Sequence, residues 1–165
     1  MIRPALLLLC LTTTGPASAE DLWQGHSAAF FGVTFLDTSA EGELKGRRAD
    51  ETARVALVNR QAAEALEAHG LRLVDLAPVA ARLDRITNPS DCNGCALRLA
   101  KDLGADYAVV SEAQKVSNLI LSINLYVFDV ASGAQLRGQA VDIRGNTDES
   151  WQRGLRYVLE RNVFR

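Results

Sequence analysis

The apolar residues of the chain fall into runs of two periodicities. Ala28-Ala-Phe-Phe-Gly-Val-Thr-Phe-Leu36 is short and rich in aromatic and β-branched residues, which predicts a buried strand. Asp37 to Ala49 is charged and carries Gly42 and Gly46, which predicts a long solvated loop. Beyond it Val55, Val58, Ala62, Ala65 and Leu66 recur at three- and four-residue spacing, so a helix is expected, capped by Asp50 and closed by His69 and Gly70. Leu71-Arg-Leu-Val-Asp-Leu76 predicts a second strand, and Pro78 opens a short helix through Arg85. Thr87-Asn-Pro-Ser-Asp91 breaks that helix, and Asp91 is placed to cap another, carrying Leu97, Ala100 and Leu103 and stopping at Gly104.

The second half changes period. Asp106–Val116, Leu119–Ala131 and Ala134–Arg144 are strand-like runs with short connections, the pattern of an antiparallel meander. In the middle run Leu119, Leu121, Ile123, Leu125 and Val127 share one face. Thr147 then predicts a helix start, with Asp148 and Glu149 in the first turn and Trp151, Leu155, Val158 and Leu159 as the buried stripe. The expected order is β-α-β-α-α-β-β-β-α, an α/β (α+β mixed-sheet) fold in which parallel strands are followed by an antiparallel meander and a C-terminal helix.

The first residues stand apart. Arg3, the apolar run Ala5–Leu11 and the small-x-small site Ala17-Ser18-Ala19 predict a secretory signal peptide over residues 1–19, leaving 20–165 as one domain in the periplasm. The apolar run is well below the roughly 18–20 residues needed to span a bilayer, so no membrane span is expected. Cys10 would matter only as a lipidation site, but Leu9 precedes it where a small residue is required.

Composition narrows the picture further. With 165 residues, 48% hydrophobic and 23% charged, the chain is of ordinary globular type. A formal charge of -2 gives no basic surface for nucleic acid or an anionic membrane. Loss of the leader leaves Cys92 and Cys95 as the remaining thiols in an oxidising compartment.

Helical crossovers make the first three strands parallel if they share a sheet, and the meander then reverses direction twice. That topology gathers Asp37, Cys92, Cys95, Lys115, Ser117, Asn118, Arg144, Asn146 and Asp148 at one end of the sheet. Ligands of open α/β sheets sit at that end, so these residues are candidate contacts for an envelope or periplasmic protein, or for a small ligand. Turns and caps use the same residue types, and a purely structural reading stays open.

Cys92-Asn-Gly-Cys95 is the one motif with intrinsic reactivity, because two thiols at a helix start can close a disulfide or exchange one. As a staple the loop is worth only about 2 kcal/mol in the chain-entropy description. Structural disulfide, thiol-active redox, sulfur or metal carrier are therefore all retained. A thioredoxin-type site is disfavoured: no strand runs directly into Cys92, no Trp precedes it, and no proline follows Pro89. Ala96 stands where covalent haem attachment needs His. His26 and His69 have no zinc-ligand spacing, and neither follows a strand as the base of a serine hydrolase would. No metal site, cofactor or catalytic residue is assigned.

The first strand, the helix ending His69-Gly70 with Leu71-Arg-Leu-Val-Asp75, then Ala100-Lys-Asp-Leu-Gly-Ala-Asp-Tyr-Ala-Val-Val110 and Tyr126-Val-Phe-Asp-Val-Ala-Ser-Gly133 resemble the domain shared by the TolB N-terminal region and CsgG-like exported proteins. The resemblance implies a non-enzymatic envelope domain used for protein contacts in transport or assembly. Lys115-Val-Ser-Asn-Leu-Ile-Leu121, Val141-Asp-Ile-Arg-Gly-Asn-Thr-Asp-Glu-Ser-Trp151 and the cysteine pair are similar to a small family of exported bacterial proteins of unknown function associated with quinoprotein (PQQ-dependent) alcohol oxidation. Unlike TolB the chain has no downstream propeller, and unlike CsgG no convincing lipidation site or pore-forming segment.

Overall fold

The computed structural model describes residues 22–165; the expected leader with its Ala19 cleavage point and Cys10 lies outside them. Five strands form one mixed sheet in the order β2-β1-β3-β4-β5. They are β1 Ser27–Asp37, β2 Arg72–Leu73, β3 Tyr107–Lys115, β4 Ile120–Asp129 and β5 Gln135–Arg144. β1 pairs in parallel with β2 and β3, whereas β3-β4 and β4-β5 are antiparallel. The expected single mixed-sheet domain is therefore what the chain forms.

Each face of the sheet carries its own core. On one face α2 (Ala49–Ala68) and α5 (Asp148–Val158) bury Val58, Ala62, Leu66, Trp151, Leu155 and Val158 against Val109, Ala113, Ile123 and Leu125. On the other, α3 (Ala80–Leu83) with the turn before it and α4 (Cys95–Asp102) cover Ala29, Phe31, Ala108 and Val110 with Val79, Ala96, Leu99 and Ala100. Thr147 caps α5 as its sequence predicts, its side chain accepting from the Ser150 N–H at 3.2 Å.

Several local expectations are corrected. The 37–49 stretch is not all loop: Ser39 caps a short α1 (Ala40–Lys45), accepting from the Gly42 N–H at 3.1 Å, with Glu41 and Glu43 in its first turn. Asp50 is not the cap of α2. Arg48 takes that position, its backbone N–H donating to Glu51 at 3.0 Å, and Asp50 pairs instead with Arg48 and Arg54. The second strand shrinks to two residues because Asp75 turns the chain, accepting from the Ala77 N–H at 2.9 Å. The helix expected from Pro78 to Arg85 divides into a 3-10 turn at Ala77–Val79 and the four-residue α3. Nor does Asp91 cap α4; Gly94, at φ 74°, precedes it, so Cys92 stands outside the helix. Leu119 lies beyond β4 and is 72% exposed rather than part of its core face.

One irregularity decides where the polar residues go. At Gly32 (φ 80°) β1 carries a bulge, so Phe30 lies beside Val109 but Val33 beside Ser111. The extra residue resets the alternation, and Val33, Phe35 and Asp37 turn toward α2 and α5. Asn59 of α2 fastens the bulge by accepting the Val33 N–H at 2.7 Å.

Candidate functional site

The parity of β3 gives Lys115 the same face as Val109 and Ala113, and its side chain is 1% exposed. A buried ammonium requires opposite charge and hydrogen bonds. Its three N–H groups meet Glu51 at 2.6 Å, Asp37 at 3.2 Å and Glu41 at 3.3 Å. Burial favours the neutral amine, but the three carboxylates outweigh it, so the Lys115 pKa is raised above its ordinary value. For Glu51 burial likewise favours the neutral acid, and the bonds from Lys115, the Arg48 backbone and Asn146 nonetheless hold its pKa below the usual value. Asp37 is lowered in the same way, against burial, chiefly by Ser39 and Lys115. Glu41 is lowered mainly by the amide of Asn118 and then by Lys115.

Asn146 extends the network. Its amide N–H groups donate to Glu51 at 2.9 Å and Asn118 at 3.3 Å, while its side-chain oxygen accepts from Arg54 at 3.2 Å and the Trp151 indole at 3.0 Å. Arg54, itself nearly buried, ties Asp50 at 2.9 Å to Asp148 at 2.8 Å. Asn118 returns to Glu41 at 2.8 Å. The ends of β1 and β3, the starts of α1, α2 and α5, and the β3–β4 turn are thus bonded through one set of side chains.

Of the residues expected at this end, Asp37, Lys115, Asn118, Asn146 and Asp148 meet in the network. Ser117 borders it, its hydroxyl accepting from the Leu119 and Ile120 N–H groups at 3.2 Å. Arg144 is exposed, and its guanidinium has no bonded partner among the described residues; only its backbone carbonyl is used, by Ser150 at 2.7 Å. Cys92 and Cys95 reach the same end but the opposite face. They are joined as a disulfide with Cα atoms 5.4 Å apart, and they line a groove with Leu36 and Asn88. Asn93 (φ 52°) and Gly94 (φ 74°) make the turn that closes the bridge.

Glu51 and Arg54 were not among the expected residues, although the signal was present. Val58, Ala62 and Leu66 mark the buried stripe of α2, and stepping back four and seven residues from Val58 reaches Arg54 and Glu51. Two charged residues on a buried stripe imply buried partners.

Around the network lies an apolar rim. Leu44 is 83% exposed, Leu119 72%, Val116 52% and Ile120 43%. Leu44 follows Glu41 by three residues, one turn along α1, and Glu41 is bonded to Asn118 in the turn that carries the other three. Four of the five large exposed hydrophobic side chains among the described residues therefore sit on two adjoining segments. Ile120 lies directly across from Arg144 in the sheet.

The family DUF3280, described as a protein of unknown function (DUF2380), matches residues 26–163. The chain belongs to this family. The DUF3280 region runs from β1 through the turn after α5, so the network, the rim and the disulfide all fall within it. No curated protein matches the chain in sequence. Among solved structures, the C-terminal domain of LpoB from Salmonella enterica is 20% identical with TM-score 0.49, covering 73% of this chain and 84% of that one. Lipoprotein GNA1162 from Neisseria meningitidis is 20% identical with TM-score 0.48, covering 74% and 83%. The PelC dodecamer from Paraburkholderia phytofirmans is 13% identical with TM-score 0.48, covering 89% and 92%. Likenesses at this level say nothing about shared partners or activity. No helix among the described residues is long and apolar enough to cross a membrane.

Proposed function

We propose that this DUF3280 protein is a periplasmic, non-enzymatic interaction module that docks an envelope or periplasmic protein on the rim formed by α1 and the β3–β4 turn. The observation that carries the reading is the concentration of Leu44, Val116, Leu119 and Ile120 on segments held by the Lys115 network. Exposed apolar side chains collected on a rigid support are the ordinary anchors of a protein interface. Lys115 and Asn146 act as its scaffold, because their polar groups are consumed internally. The partner surface is apolar with an acidic group opposite Arg144, which has no internal counter-charge among the described residues. Export follows from the features of residues 1–19. The TolB- and CsgG-like segments, and the similarity to quinoprotein-associated proteins, support an accessory place in envelope transport, assembly or PQQ-dependent oxidation.

Photoreactive side chains placed singly at Leu44, Leu119 and Tyr157 test this in cells. Tyr157, on α5, is the fifth exposed large hydrophobic residue. The same discrete adduct is expected from Leu44 and Leu119, absent from Tyr157 and lost when Ile120→Asp is added. Equal yields from all three positions would reject the docking rim.

The half-buried disulfide favours a second reading, in which Cys92 and Cys95 act as a thiol-active pair for disulfide exchange or for carrying sulfur or a metal. A bridge that closes so short a loop contributes about 2 kcal/mol, so stability alone is a weak reason for it. A reduction potential near about -200 mV would support exchange, and one below about -300 mV would mark an inert staple.

A further inference from the structure

The sheet face opposite Lys115 is only partly covered. α3 and α4 pack over β1 and β3, leaving the outer strands open beside the turn Pro89–Asp91. Between that turn and the sheet lies a cleft of about 480 Å³, lined by Asn88, Ser90, Asp91, Glu112, Gln114, Tyr126, Phe128 and others. Its size is that of a small-molecule or side-chain pocket. Tyr126 lies across toward β5, where a side chain at Gly138 would collide with its ring and with Gln135.

Glu112 is the unusual group in this cleft. It is half-buried, and its two carboxylate oxygens are fixed separately, one by the Asn88 amide at 2.8 Å and the other by the Asn124 amide at 2.7 Å. Both donors are neutral. The network carboxylates have Lys115 or Arg54, but Glu112 has no cationic partner within 4 Å among the described residues. No lining residue of the cleft is basic, and Asp91 adds a second negative charge. Arg85 lies in the neighbouring groove beside the disulfide. A carboxylate partly withdrawn from water without a counter-ion carries a desolvation cost that an external cation relieves.

Three further observations narrow the cation. No group of three or more His, Cys, Asp or Glu side chains capable of holding a metal exists among the described residues. Tyr126 and Phe128 put two aromatic rings in the same cleft, with centroids 6.4 Å apart. Ser90 also lines it, and its buried hydroxyl oxygen has no hydrogen-bond partner. Aromatic faces beside a carboxylate and neutral amides suit a planar, weakly hydrated cation better than a compact ion.

We propose that this cleft binds a guanidinium group. Glu112 supplies the charge, with acceptor capacity remaining on each oxygen beyond its single amide bond. Tyr126 and Phe128 supply the stacking surface, and Ser90 with the side-chain carbonyls of Gln114 and Gln135 supplies acceptors for the remaining N–H groups. The source is either a free guanidinium compound or an arginine of a bound protein. The site rests on the face opposite Lys115 and is independent of the docking rim.

Titration of the isotopically labelled protein with N-acetyl-arginine amide, followed by amide chemical shifts, tests this directly. Saturable shifts are expected at Asn88, Glu112, Tyr126 and Phe128, with none from the neutral isostere N-acetyl-citrulline amide. Glu112→Gln is expected to weaken binding about tenfold or more, as for loss of a charge-assisted hydrogen bond. Phe128→Leu should weaken it roughly two- to fivefold, the size of a partly exposed cation–π contact, and serves if the first variant does not fold. Tighter binding of acetyl-Gly-Arg-Gly amide than of the single residue identifies a protein side chain as the source; equal binding identifies a free compound. Equal response to citrulline, shifts mapping elsewhere, or unchanged affinity in a folded Glu112→Gln protein would overturn the site.

Discussion

Lys115 holds three carboxylates from three different segments, and removing its charge leaves Glu51 and Asp37 buried beside Glu41 with no ammonium among them. Breaking one side of a buried ion cluster costs about 3–5 kcal/mol, a large part of the roughly 5–15 kcal/mol that holds a domain together. Lys115→Met is expected to lose that much at neutral pH by urea denaturation, and less near pH 4.5. The sign follows from the carboxylates: without the lysine their burial raises their pKa, so protonation relieves the variant while it weakens the wild type. A pH-independent deficit would show that Lys115 acts only as packing. The position of Lys115 at the sheet end was legible in the sequence, and its burial was nearly so, because Val109, Ala113 and Lys115 share one parity. Which carboxylates it meets was not legible, since Glu51 lies 64 residues away on another element. For the cysteines, Cys92→Ser should cost about 2 kcal/mol under oxidising conditions. Under reducing conditions wild type and variant should converge, which paired denaturation curves check.

At the scale of elements, the long helices and the meander follow from apolar periodicity, and their ends moved by only one or two residues. The departures occur where short polar side chains compete for the backbone. Ser39 draws a helix out of a charged stretch, and Asp75 ends β2 after two residues. The bulge at Gly32 is the departure with the widest consequence, because an isolated glycine in a strand-like run marks a bulge without fixing which strand it is offset against. Two changes at this position separate conformation from register. Gly32→Ala places a side chain at φ 80° against Asn59 and should cost about 1–2 kcal/mol, the penalty for a left-handed residue. Inserting one residue after Gly32 would instead turn Val33, Phe35 and Asp37 to the opposite face and take Asp37 from Lys115. The insertion is therefore expected to prevent cooperative folding while the substitution only lowers the midpoint, as circular dichroism melts would show. An insertion protein as stable as Gly32→Ala would mean that the bulge does not set the register.

The whole molecule divides its polar chemistry between the two faces of the sheet. One face ends in a network whose charges are satisfied internally and whose rim is apolar; the other holds a disulfide and a cleft whose carboxylate has no cationic partner among the described residues. This division gives the protein a defined response to acid. Asp37, Glu51 and Asp50 at the network end, and Asp106 where it grips the Ser27 backbone at the opposite end, all have pKa values below the ordinary 3.8 or 4.5. A depressed folded-state pKa contributes stability that is fully present above the unfolded value and is lost as pH falls through the folded one. Lys115 has the opposite sign: its raised pKa keeps its contribution intact until pH exceeds the ordinary 10.5. Stability measured by denaturation across pH should therefore be flat with respect to these groups from about pH 6 to pH 9 and fall below their ordinary carboxylate values. Because the depressed groups sit at both ends of one sheet, the acid transition should be a single one, with tryptophan fluorescence from Trp23 and Trp151 changing together with far-ultraviolet circular dichroism. Trp151 is bonded to the network through Asn146, and Trp23 packs on Tyr107 near Ser27 and Asp106. Fluorescence changing at a higher pH than backbone ellipticity would show that one end opens on its own, and the rim proposed for docking would then be a mobile surface instead of a fixed one.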